Sequence, residues 1–176
     1  MMKAVSNELI KDCLTMDPIQ TAELMTETND FYYCPYIYGF SNYSRKNYKK
    51  NILKYIDVMN LSGKGPAGTH LGGTGIAVSN VSKNKDLAVE YAFWIASAEC
   101  QKSLFYESGG QPGNSEAWED KKINLETNDF FKATRKTLNL AWVRPRHNGY
   151  MEFQDKSGDL INEYLQSEIR PESVCE

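Results

Sequence analysis

The spacing of apolar and polar positions changes period several times along the chain, and each change marks a short element. Val5, Leu9, Ile10 and Leu14 fall near helical spacing in a weak opening pattern that stops at Asp17-Pro18. An aspartate N-cap followed by proline at the first helical position predicts a short helix from Pro18 to about Met25. Over residues 47–60, Ile52, Leu53, Ile56 and Met59 share one side of an amphipathic element whose spacing suits helix and strand alike. Ser82 or Asn84 then caps a helix that carries Leu87, Tyr91, Trp94, Ile95 and Ala98 on one face, and this stripe is predicted as core. Ser97 is the expected cap of the next helix, with Glu99 near its positive end and Gly109-Gly110 closing it. Helical spacing returns with Phe130, Phe131, Thr134, Leu138 and Ala141. A last helix is predicted from Tyr150 to about Gln166, its apolar side built from Tyr150, Phe153, Leu160, Ile161, Tyr164 and Leu165, weakened by Gly158 and followed by Pro171 as a stop.

Three stretches interrupt these helices. FYYCPYIYGFSNYS, Phe31 to Ser44, is the most aromatic run; Pro35 forces the residues before it to be extended and Gly39 permits a turn, so a strand entering a loop is predicted. LGGTGIAVS, Leu71 to Ser79, has glycines 72, 73 and 75 free to adopt positive φ, then Ile76, Ala77 and Val78 as a buried strand. WVRPRHNGY, Trp142 to Tyr150, gathers two rings, two guanidiniums, an imidazole and an amide in a loop broken by Pro145 and Gly149. Arg144 and Arg146 either pair with acidic side chains or offer bidentate donors to a ligand.

Composition narrows the range of functions. A chain of 176 residues with 41% hydrophobic content buries a core of ordinary domain size. Eleven tyrosines and three tryptophans either fill that core or face something flat and partly polar. A net charge of −3 argues against a nucleic-acid partner, which requires a basic face, and the cluster Arg45, Lys46, Lys49, Lys50 reads as a solvated helix face. No window is apolar enough to span a membrane, so a soluble chain without direct membrane insertion is expected. The opening residues MMKAVSNELIKDC lack the apolar segment of an export signal. Cys13, Cys34, Cys100 and Cys175 form no C-x-x-C pair and have only His70 and His147 as imidazole companions; no zinc motif, no cofactor and free buried thiols are expected.

The motifs of catalysis are missing. Gly63 to Gly68 satisfies G-x-G-x-x-G, but Pro66 and a second glycine loop stand where a nucleotide fingerprint needs a helix to begin. There is no G-x-S-x-G elbow and no H-E-x-x-H. No catalytic residue is assigned, and His147 beside two arginines reads as a surface or hydrogen-bonded group. A carboxylate pair for glycoside hydrolysis has no spacing to support it.

The order LGGTGIAVS, a capped A-x-E-Y-A-x-W helix, SAECQKSLFYESGGQPG and an aromatic helix ending in RPRHNGY-x-x-FQ, with YCPYIYGFSNYSR upstream, resembles the C-terminal portion of extracellular solute-binding proteins of carbohydrate ABC transporters. The resemblance covers the chain from about Phe31 onward. It implies an α/β fold, an incomplete two-lobed periplasmic-binding-protein-like fold of type II, mostly helical with a few strands and lacking its N-terminal half. Residues 1–72 and 128–176 would belong to the C-terminal lobe, and residues 73–127 would form a crossing strand and helices of the other. The implied function is noncatalytic binding of a sugar for delivery to the permease subunits of an ABC transporter, with the parent protein extracytoplasmic. The implied ligand contacts are Gly72 and Gly73 through backbone, Trp142, Arg144, Arg146 and Tyr150 from the cleft-facing loop, and Tyr38 and Tyr43 from the aromatic run. A protein-interaction module on the same scaffold is the alternative, and a glycoside hydrolase the weakest.

Overall fold

A computed structural model describes residues 2–60 and 62–167. Among them the α-helices are α1 (Met2–Ser6), α2 (Pro18–Glu27), α3 (Lys85–Ala96), α4 (Ala98–Lys102), α5 (Leu104–Glu107), α6 (Ser115–Glu119), α7 (Lys121–Glu126), α8 (Phe130–Ala133), α9 (Arg135–Asn139) and α10 (Tyr150–Gln166), with single 3-10 turns at Lys11–Leu14 and Ser41–Ser44. The expected stop at Pro171 and the thiol of Cys175 lie outside the described residues.

The α/β two-lobed expectation is corrected here. The described residues are 49% helix and 2% strand, with no sheet among them. Its extended pairing consists of two isolated bridges, Met59 with Pro66 and His70 with Trp142. A strand exists only where a neighbouring strand takes its N–H and C=O groups. Beyond Leu71, LGGTGIAVS finds no such neighbour among the described residues: residues 71–77 are exposed, Ile76 at 53%, and none of Gly72, Gly73 and Gly75 has positive φ. The aromatic run likewise forms no strand, bending at Pro35 and Tyr36 before it turns at Ser41–Ser44. The basic cluster Arg45 to Lys50 lies on turns and bends and not on a helix.

The chain divides into two compact units, Ala22–Val143 and a smaller one joining Met1–Thr21 to Arg144–Glu176. The larger unit is centred on aromatic rings. Phe130 and Phe131, from α8, are buried and pack edge-on to each other with centroids 5.0 Å apart. Phe130 meets Tyr55 at 5.0 Å and Phe131 meets Trp118 at 5.1 Å, both edge-to-face. Ala22, Tyr43, Tyr106, Ala117 and Ile123 complete this core. Short helices surround it, and three of them begin at a side-chain cap: for α4 the Ser97 hydroxyl accepts from Cys100 N at 3.2 Å, for α6 Asn114 accepts from Glu116 N at 3.0 Å, and for α7 Asp120 accepts from Ile123 N at 3.0 Å. The Trp118 indole N–H, partly buried, donates to Pro112 O at 2.7 Å.

The stripe predicted as core on α3 is not covered. None of its residues is buried; Leu87 is 67% exposed and Tyr91, Phe93 and Trp94 are also exposed. Helical spacing establishes that a face is apolar and not that another element packs on it.

In the smaller unit, Lys3 of α1 donates its ammonium to Tyr164 O at 2.9 Å and Leu165 O at 2.6 Å, and also to Ser167 O. A cation on the last carbonyls of α10 satisfies groups the helix leaves unpaired and faces the negative end of its dipole. Asn162 adds a bond to Leu14 O at 2.7 Å. At the start of α2, Gln20 N donates to Asp17 Oδ1 at 2.7 Å while Asp17 N donates to Gln20 Oε1 at 2.9 Å, a reciprocal cap.

Candidate functional site

The larger unit holds a cavity of about 590 Å³. Two non-helical stretches, 31–39 and 51–59, supply most of its wall, and Pro35 keeps the residue before it out of helical conformation. Specific bonds hold these stretches in place. The Asp57 carboxylate accepts from Thr137 N at 2.7 Å while the Thr137 hydroxyl accepts from Val58 N at 2.8 Å, fastening 57–58 to α9. Gln111 accepts from Ser41 N at 2.6 Å and donates to Gly39 O at 3.2 Å, tying the aromatic run to the GGQPG loop. Arg45 reinforces that junction by donating to Tyr106 O at 3.1 Å and Gly110 O at 2.9 Å, with its guanidinium 4.1 Å from the centre of the Tyr106 ring.

At one part of the wall stands His70. Its Nδ1 lies 2.5 Å from the Tyr38 hydroxyl, and its ring meets that of Tyr38 edge-on at 5.8 Å. The Trp142 ring lies 5.4 Å from that of His70, tilted by 31°. Backbone fixes this arrangement: Leu71 N donates to Trp142 O and Trp142 N to Thr69 O, each at 2.9 Å. The second ring nitrogen of His70, Nε2, is buried and meets no hydrogen-bond partner. Gly72 lies against the Tyr38 ring.

Tyr38, Gly72 and Trp142 thus gather around His70, a residue the sequence reading left out of the site. The remaining predicted contacts are distributed otherwise. Gly73 is exposed and has open space where a Cβ would stand. Tyr43 is buried in the core, its hydroxyl donating to Glu23 Oε1 at 2.8 Å, which leaves its ring with no face toward solvent. Burial, then that bond, pushes the Tyr43 hydroxyl well above the usual phenol range. Glu23 also accepts from Lys49, and these two bonds hold its carboxyl below the ordinary carboxylate range. Arg144, Arg146 and Tyr150 belong to the smaller unit: Arg144 donates to Gln154 Oε1 at 3.1 Å, Arg146 is exposed, and Tyr150 packs near His147 with ring centroids 5.7 Å apart.

Tyr55 is the other residue missed. It lines the cavity, and its buried hydroxyl has no hydrogen-bond partner. Burial raises its pKa above the phenol range, against a smaller lowering by the nearby Phe40 backbone. Among the described residues the one carboxylate in the cavity wall is Asp57, already committed to Thr137 N, so they assemble there no facing pair of the kind glycoside hydrolysis requires. Among the described residues no group of three His, Cys, Asp or Glu side chains is placed to hold a metal ion. Cys13 and Cys34 are half-buried and Cys100 buried, all three as free thiols; the expectation of buried thiols is met at Cys100 and relaxed at the other two. Among the described residues no helix is long and apolar enough to cross a membrane. Compared with protein-family models, with curated proteins and with solved structures, the chain matches none.

Proposed function

We propose that the larger unit binds a sugar or related small uncharged solute, without chemistry, in the aromatic-walled cavity. The observation that carries this reading is the wall itself. Tyrosine, phenylalanine and tryptophan rings supply apolar faces, and a few fixed polar groups, His70, Tyr55 and Gln111 among them, supply direction. A volume of about 590 Å³ lies within the range of small-molecule sites, roughly 300–1,000 Å³, that combine such faces with a few placed polar groups. Flat aromatic faces suit the C–H surfaces of a sugar ring, and the charged side chains of the wall are Asp57, committed to Thr137 N, and the exposed Lys54. Delivery of that solute to permease subunits of an ABC transporter, outside the cytoplasm, is the role supported by the order of motifs in the sequence. Calorimetry with neutral mono- and disaccharides tests the ligand class. Binding heat together with a change in tryptophan fluorescence, through Trp118 in the wall and Trp142 beside His70, is expected; absence of both across the panel rejects it.

A second reading, a protein-interaction module, is favoured by α3, whose Leu87, Tyr91, Phe93 and Trp94 are all exposed. Light scattering separates the two: a monomer at all concentrations, with sugar binding, leaves the cavity as the functional element.

A further inference from the structure

Among the described residues, four buried side-chain polar atoms lack a hydrogen-bond partner: Ser41 Oγ, Arg45 Nε, Tyr55 Oη and His70 Nε2. Two of them, on Tyr55 and His70, belong to residues that line the cavity, and the other two do not. A buried polar atom left unpaired is destabilising, and native chains carry few without a reason. The geometry points to Tyr55 Oη and His70 Nε2 as the two polar anchors of the cavity, which its ligand satisfies with hydroxyl groups. This inference rests on the proposed solute-binding reading and names the atoms that perform it.

The choice of hydroxyl follows from the chemistry of the two atoms. The Tyr38 hydroxyl shares one hydrogen with His70 Nδ1 across 2.5 Å. If Tyr38 donates, Nε2 carries the other ring proton and needs an acceptor; if Nδ1 donates, Nε2 is bare and needs a donor. A ligand hydroxyl serves in either case, because it both donates and accepts. The phenol of Tyr55 has the same dual character. An ammonium group accepts nothing and a carboxylate donates nothing, so neither meets both needs of such an atom. Two dual-character anchors among aromatic faces therefore fit an uncharged ligand with several hydroxyls. Tyr38 is a positioning residue: its bond to Nδ1 fixes how the imidazole presents Nε2.

The test uses Tyr55→Phe and His70→Phe in the full chain, with glucose, galactose, xylose, maltose and cellobiose as probes. Because Tyr55 Oη is unpartnered in the free protein, Tyr55→Phe is expected to leave the thermal midpoint unchanged or raise it, while the Kd of whichever sugar binds the wild type weakens by about fivefold to tenfold. A group that served only the fold would lower the midpoint and leave Kd alone. His70→Phe keeps a ring between Tyr38 and Trp142 and is expected to weaken Kd by a similar factor; where it fails to fold, Tyr55→Phe decides. Sugar binding by the wild type with Kd in Tyr55→Phe within about twofold of it overturns the anchors and leaves the binding reading standing. No binding by the wild type to any probe overturns both.

Discussion

The ring of Tyr38 occupies the space in which a side chain at Gly72 would begin: a Cβ there would stand 2.7 Å from Tyr38 Cε1. Tyr38 is partly exposed and its ring can swing, so Gly72→Ala is expected to fold but to draw the Tyr38 hydroxyl away from His70. Loss of one such hydrogen bond, about 1 kcal/mol, corresponds to roughly a fivefold weaker Kd for the bound sugar. Gly73→Ala, placed in open space, changes neither affinity nor thermal midpoint. Equal affinities in the two variants would show that the glycine serves no such purpose.

The alkaline limb of stability is assigned to buried phenols. Burial, then the bond to Glu126 Oε2 at 2.9 Å, pushes the Tyr106 hydroxyl from 10.0 up to about 12, and Tyr43 moves in the same direction. The neutral phenol is the form the fold favours, so its contribution is complete below pH 10.0 and is lost as pH rises toward about 12. Tyr106→Phe is expected to lose about 1 kcal/mol at neutral pH and to show a shallower loss across that window, the remainder coming from Tyr43 and Tyr55. Urea unfolding at a series of alkaline pH values measures both; an undiminished slope in the variant would assign the limb elsewhere.

Phe131 is fully buried between Phe130 and Trp118. Phe131→Ala removes a ring that its neighbours cannot collapse to replace, and a loss of about 3–5 kcal/mol in unfolding free energy is expected. A loss below about 1 kcal/mol would place the centre of the core somewhere else.

On α3 the expectation is the reverse. Leu87→Ser and Phe93→Ser alter exposed positions, so stability should move by no more than about 0.5 kcal/mol. Any self-association or binding of a hydrophobic dye should fall. Sedimentation and dye fluorescence check the second effect, and a large drop in stability would mean that the face is covered in solution.

Features that end or begin a helix were legible because their causes are local. Asp17-Pro18 opens α2, Ser97 caps α4, and α10 runs from Tyr150 to Gln166 as the spacing indicates. Strands were not, since Ile76 to Val78 have the composition of one but find no ladder partner, and partnership is a long-range property that β-rich composition does not supply. Arg45 shows the same limit at a single residue. The neighbouring lysines suggested a solvated helix face, whereas its guanidinium reaches carbonyls of Tyr106 and Gly110. Within the site, aromatic and glycine signals picked out Tyr38, Gly72 and Trp142. His70 was missed because one histidine carries no periodicity, although it directly precedes the LGG step.

The bridge between residues 69–71 and Trp142 has a kinetic meaning. Its two hydrogen bonds join points separated by most of the larger unit, so the intervening chain, from α3 through α9, is a loop that must close before His70 acquires its Trp142 neighbour. Closing a long loop costs entropy that local contacts do not repay, and such contacts form late and are expected to open early. The capped helices and the Phe130-Phe131 core can form without the bridge, which makes this side of the cavity the last part of the unit to assemble and the first to exchange its amide protons.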